Sequence, residues 1–179
     1  MKLATGFAAA TIAMAAMYSI PANAQSVHVN ASQPTARCQG ALPAFETQIR
    51  KRPLAVQNEG TATSFVTCSF EFDAGESVSG AELLDTYFTN LSGVEKTVNC
   101  TAVTGFSTGV NEYVSLSTVV PVPTPDDDDL DDTGNPYWFA EDFLGGGMAS
   151  GLISISCNLP TGVGVNDTYV YWITEDEAV

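Results

Sequence analysis

Between Thr61 and Phe72 the side chains alternate. Ala62, Ser64, Val66, Cys68, Phe70 and Phe72 fall on one face, and Thr63, Thr67, Ser69 and Glu71 on the other. A period of two belongs to an extended strand and does not fit the 3.6-residue turn of a helix. Cys68 sits on the apolar side, so the pattern directs a sulfur into a core. The rest of the chain is cut from similar cloth. Short runs rich in Val, Thr, Phe and Tyr are separated by Gly, Pro, Asn and Asp. Leu83 to Asn90 and Glu95 to Thr104 read as a hairpin around Leu91-Ser92-Gly93, with Val98, Cys100 and Ala102 facing inward. Tyr113 to Val120, Tyr137 to Leu144 and Met148 to Leu159 add further strands. Asp167 to Thr174 closes the series, with Val170 and Trp172 opposite Tyr169, Tyr171 and Ile173. No stretch sustains a helical period. The expected fold is an all-β antiparallel β-sandwich, immunoglobulin-like or jelly-roll, with two disulfides.

The first 24 residues follow a different rule. Lys2 is followed by an Ala-rich apolar run from Leu3 to Ile20, the breaker Pro21, and Ala22-Asn23-Ala24. That is the layout of a signal peptide cleaved before Gln25. A retained anchor is the alternative, since about 20 apolar residues span a bilayer; Pro21 and the small-residue site favour cleavage. Removing 24 of the 179 residues leaves 155, enough for one domain with a buried core. The expected organisation is a signal peptide over 1–24, a flexible segment over 25–36, and a single sandwich domain over 37–179. The expected location is secreted or periplasmic, with no membrane insertion after cleavage.

Export places the cysteines in an oxidising compartment. Cys38, Cys68, Cys100 and Cys157 all follow the cleavage site, and an even count argues for two bridges. Spacing leaves three pairings open; the expectation adopted is Cys38–Cys68 and Cys100–Cys157. Each bridge would add roughly 3–4 kcal/mol by constraining the unfolded chain. There is no C-x-x-C, and the one histidine, His28, lies in the expected flexible segment, so no zinc site is expected.

Charge excludes further classes. The chain carries 6 Lys and Arg against 21 Asp and Glu, a formal charge of −15. Four of the bases are Arg37, Arg50, Lys51 and Arg52. Such a surface repels phosphate backbones and anionic membranes, so no nucleic acid partner is expected.

The order of signals resembles a group of small exported bacterial proteins of unassigned activity. The residues that carry the likeness are Val66-Thr67-Cys68, Cys100-Thr101 and Cys157-Asn158-Leu159-Pro160, ahead of a last strand ending near a Glu. The resemblance spans about Cys38 to Glu175 and implies a secreted β-sandwich with two disulfides. This chain has Ser69 where that group often has Pro. The likeness brings no catalytic residue with it.

The segment from Pro121 to Pro136 is the most unusual. Prolines at 121, 123 and 125 favour an extended approach, and Asp126 to Asp132 holds six Asp. So many carboxylates belong at a solvated loop tip. Calcium is the functional alternative, because Ca²⁺ takes six to eight oxygens. The spacing is poor for an EF-hand: a loop begun at Asp129 puts Ala140 at position 12, with Glu141 one residue late. No metal site or cofactor is therefore assigned.

Tyr137-Trp138-Phe139 follows this loop and offers aromatic surface for a sugar, although alternate members of a strand trio belong in the core. Trp172 is expected in the core. Gly145-Gly146-Gly147 lacks the Lys and helix of a phosphate loop and reads as a turn. Asn30, Asn90, Asn99 and Asn166 match a glycosylation signal that matters only in a suitable host. Catalysis has little to work with. His28 is near the mature terminus, the cysteines are expected to be oxidised, and only carboxylate pairs remain. Glu71, Asp73, Glu141 and Asp142 are acids of the right kind for glycoside hydrolysis, with nothing in the sequence to pair them.

The reading is an exported non-enzymatic β-sandwich acting as a binding or surface/structural module, with an unknown protein or glycan partner. The alternative is a calcium-dependent carbohydrate-binding module, and the third is a small glycoside hydrolase.

Overall fold

The computed structural model describes residues 25–70, 72, 77–105, 111–123, 134–144, 148 and 152–175. The expected signal peptide over 1–24, Glu71, Asp73, the run from Asp126 to Asp132 and Gly145 to Gly147 lie outside the described residues.

Among the described residues eleven strands form two antiparallel sheets. They are β1 (Gln25–Ser32), β2 (Cys38–Gly40), β3 (Ile49–Arg52), β4 (Ala55–Asn58), β5 (Ser64–Phe70), β6 (Ser77–Asn90), β7 (Lys96–Gly105), β8 (Glu112–Val120), β9 (Tyr137–Phe139), β10 (Leu152–Leu159) and β11 (Val163–Glu175). Two single-turn helices, α1 (Pro34–Arg37) and α2 (Pro43–Glu46), flank β2. The first sheet runs β3-β4-β11-β6-β9, with β1 also on β11; the second runs β2-β5-β10-β7-β8. The sheets pack face to face as a sandwich. From the first sheet the core takes Val56, Leu84, Phe88, Trp138, Val165 and Val170. From the second it takes Val66, Phe70, Val98, Val120, Ile155 and Leu159. Burying each such side chain contributes about 1.5–3 kcal/mol.

Both disulfides lie in the second sheet. Cys38 bonds Cys68 directly across β2–β5, and Cys100 bonds Cys157 directly across β7–β10. The alternation in β5 places Ser64, Val66, Cys68 and Phe70 inward, with Phe65 and Ser69 exposed. Pairing within this sheet runs without a register shift, whereas β11 and β6 of the first sheet shift register three times.

Two expectations fail for identifiable reasons. The hairpin of Leu83 to Asn90 with Glu95 to Thr104 does not form. β6 pairs with β11 and β9, while β7 pairs with β8 and β10 in the other sheet. Asn90 makes the difference. It is 1% exposed, and its Nδ2 donates to Val94 O at 2.8 Å and to Val120 O at 3.0 Å. Its Oδ1 accepts from Ser92 N at 3.0 Å. One amide thus satisfies backbone groups of the turn and of the opposite sheet, and holds the chain in a crossover. Asn58 repeats the device between β4 and β5: Nδ2 donates to Ala62 O at 2.8 Å and Leu159 O at 2.7 Å, and Oδ1 accepts from Gly60 N at 2.9 Å. Gly162 docks between the two corners. Its N donates to Asn58 O and its O accepts from Leu91 N, both at 2.8 Å. Its φ is +85°, and a Cβ there would stand 2.9 Å from Ser92, so a side chain is opposed by both backbone and space.

The expected flexible segment over 25–36 is instead strand β1 followed by α1. Its residues alternate in exposure, and all eight of its positions pair with β11 from Thr168 to Glu175. His28 is part of that attachment: Nε2 lies 2.9 Å from Thr174 Oγ1, and the ring stacks on Trp172 at 5.4 Å. Small polar residues hid the strand, because an edge strand needs little apolar surface to pair.

Candidate ligand-binding face

The outward side of the first sheet is built by cross-strand register. Residues directly opposite in a ladder share a face, and they meet in rows. One row is Ala31 (β1), Tyr169 (β11), Asp85 (β6) and Tyr137 (β9). The next is Val29, Tyr171, Leu83 and Phe139. A shorter one pairs Asp167 with Tyr87. Four tyrosines therefore gather around one carboxylate. Tyr87 meets Tyr169 edge-on with ring centroids 5.4 Å apart, and Tyr169 stacks toward Tyr171 at 6.4 Å. Tyr137 and Phe139 are 42% and 49% exposed. An exposed aromatic and aliphatic face on a chain this acidic marks a contact surface.

Asp85 is the exception to the rule that outward means exposed. It is only 3% exposed, because the neighbouring side chains cover it. Its Oδ1 is buried without a hydrogen-bond partner. Burial pushes the Asp85 carboxyl above its ordinary value of 3.8, opposed by a hydrogen bond from Tyr87 and by the Thr86 backbone. Burial also raises Tyr87, and the charge of Asp85 raises it further. Tyr169 and Tyr171 are raised by burial first and by nearby carboxylates second. These hydroxyls stay protonated at neutral pH and can donate hydrogen bonds. The face therefore offers ring surface, hydroxyl donors and carboxylate acceptors together.

The residues singled out from sequence fall elsewhere, with one overlap. In the Tyr137-Trp138-Phe139 trio, Trp138 is fully buried and donates Nε1 to Val114 O of the other sheet at 3.0 Å, while its two neighbours join the outer face. Trp172 is partly buried against the core. Asp142 Oδ2 accepts from Phe139 N at 2.8 Å and so caps the short turn Ala140–Asp142; Glu141 beside it is exposed. Glu71 and Asp73 lie outside the described residues, so of the four acids the structure places only Glu141 and Asp142. Among the described residues no three His, Cys, Asp or Glu side chains gather as a metal site. No helix of the described residues is long and apolar enough to cross a membrane. A surface hollow of about 470 Å³ is lined by Thr47, Gln48, Arg50, Glu59, Gly60 and Thr61, where Glu59 pairs with Arg52 and Arg50. It is a polar cleft in which one carboxylate is shared by two arginines. Sequence reasoning missed Asp85, Tyr87, Tyr169 and Tyr171 as a group. The available signal was Tyr169 and Tyr171 alternating with Val170 and Trp172, which sends both rings to the solvent side.

No protein-family model matches the chain, and no curated protein matches it. Among solved structures, one match is TmCBM61 in complex with beta-1,4-galactotriose. It is 12% identical, with a TM-score of 0.35, over 83% of this chain and 88% of that one. A superposition that loose assigns no ligand to this chain.

Proposed function

We propose that this chain is a non-enzymatic binding module that holds a glycan across the tyrosine-lined face of its first sheet. The observation that carries the reading is the gathering of Tyr87, Tyr137, Tyr169 and Tyr171 around Asp85 on an outward face. A sugar ring presents C–H groups that stack on aromatic rings, and hydroxyls that bond to phenols and carboxylates. An open sheet face suits a chain lying along it. Catalysis is disfavoured by the same geometry, because a carboxylate covered as Asp85 is does not reach a glycosidic bond. The chain's apparent leader and its two disulfides fit an exported protein. The test is affinity electrophoresis of the mature protein through gels holding neutral or amine-bearing polysaccharides. Retardation by at least one glycan, lost in Tyr171→Ala, is the expected result. Free migration through every gel, or equal retardation of the variant, overturns the reading.

A further inference from the structure

We infer that the glycan this face selects carries free amino groups, held as ammonium over the tyrosine rings with Asp85 as the counter-charge. The inference rests on the glycan reading above and narrows its ligand class. Three observations carry it. First, the described outward side chains of β1, β6, β9 and β11 include two carboxylates, Asp85 and Asp167, and no Lys, Arg or His. The bases that share this side of the sheet by register, Arg50 and Arg52, stand at its β3 edge, away from the tyrosines, and both pair there with Glu59. Second, the rings are tyrosines in edge and stacked contact, and the faces of such rings attract cations. Third, Asp85 is covered and leaves Oδ1 unpartnered. A buried carboxylate oxygen without a donor is costly, and a cation seated on the rings above it offsets part of that cost. A neutral sugar uses the rings and hydroxyls but leaves this carboxylate uncompensated.

The test compares three oligomers of equal length by isothermal titration: β-1,4-linked glucosamine, its fully N-acetylated form, and the matching glucose oligomer. Acetylation removes the charge from the ligand, so the comparison needs no protein variant. The glucosamine oligomer is expected to bind at least tenfold more tightly than the acetylated one. That ratio should fall below threefold in Asp85→Asn and should persist in the unmodified protein at about 0.3 M NaCl, where the screening length is about 6 Å. Equal binding of all three oligomers overturns the inference and leaves the glycan reading standing. Binding of none of them, together with free migration through every polysaccharide gel, removes both. A preference that salt abolishes, or that Asp85→Asn keeps, is diffuse attraction to an acidic protein and also overturns the inference.

Discussion

Asp85 shows how an outward residue becomes a buried one. Its ladder position points it at solvent, and the tyrosines around it close over the carboxyl. Its folded-state pKa lies above the ordinary value of 3.8, so the folded protein holds the proton more tightly than the unfolded chain does. The stability gained from that proton is complete below about pH 3.8 and is lost as pH rises through the folded value. Asp85→Asn removes this loss. Its melting temperature should match the wild type near pH 4 and exceed it near pH 8, as read by thermal unfolding across that range. A variant that melts lower than the wild type at every pH would show that the carboxylate supports the fold. At this scale the sequence was partly legible. Alternation identified the inward cysteines and put Val170 on the inner face with Trp172, but it left open which members of Tyr137-Trp138-Phe139 face the core. It could not reveal Asp85, because cover by residues on the neighbouring strands β9 and β11 is a tertiary property.

At the scale of elements, the corners decide the topology. Leu91-Ser92-Gly93 carries ordinary turn chemistry, and turn chemistry alone does not say whether a chain returns to the same sheet or crosses to the other. Asn90 and Asn58 settle it, by bonding to Val120 and Leu159 of the second sheet. Asn58→Ala and Asn90→Ala each strand buried backbone carbonyls and should cost about 2–3 kcal/mol in denaturant unfolding. A loss under about 0.5 kcal/mol would mean the corners hold without them. The repeat was present in the sequence, since each of these Asn precedes a core cysteine, Cys68 or Cys100, by the same distance. It was hidden because Asn is common in turns of every kind. Strand β1 was missed for a related reason: its partner β11 is distant in sequence. The disulfides staple neighbouring strands of the second sheet across separations of 30 and 57 residues. Loop-closure entropy then assigns each about 4 kcal/mol. Replacing either cysteine pair by serine should lower unfolding stability by that order, and near-equal stability would contradict it.

At the scale of the whole molecule, the two sheets differ in what they show to solvent. The second sheet, held by both disulfides and unshifted in register, displays small hydroxyls such as Thr67, Ser156, Thr101 and Ser115, some bonded to one another, with Phe65, Tyr113, Val119 and Leu152 exposed singly around them and without the ring-to-ring contacts of the first sheet. The first sheet displays tyrosines. The tyrosines of the proposed face all lie outside Asp126 to Asp132, so the glycan reading predicts the same retention in EDTA as in calcium. A loss in EDTA that calcium restores would instead give the acidic run a role in binding. Composition made the acidic character legible, and alternation the all-β fold. The tyrosine-lined face was not, because it is assembled from β6, β9 and β11, whose order in space differs from their order in the chain. The most direct test of the account is calorimetric titration of a retained glycan into the wild type, Tyr169→Ala, Tyr171→Ala and the second-sheet control Thr101→Ala. The account predicts saturable binding, weakened at least tenfold (about 1.4 kcal/mol) by either tyrosine change and unaltered by the control. Binding that survives both tyrosine changes, or that falls with Thr101→Ala, would contradict it.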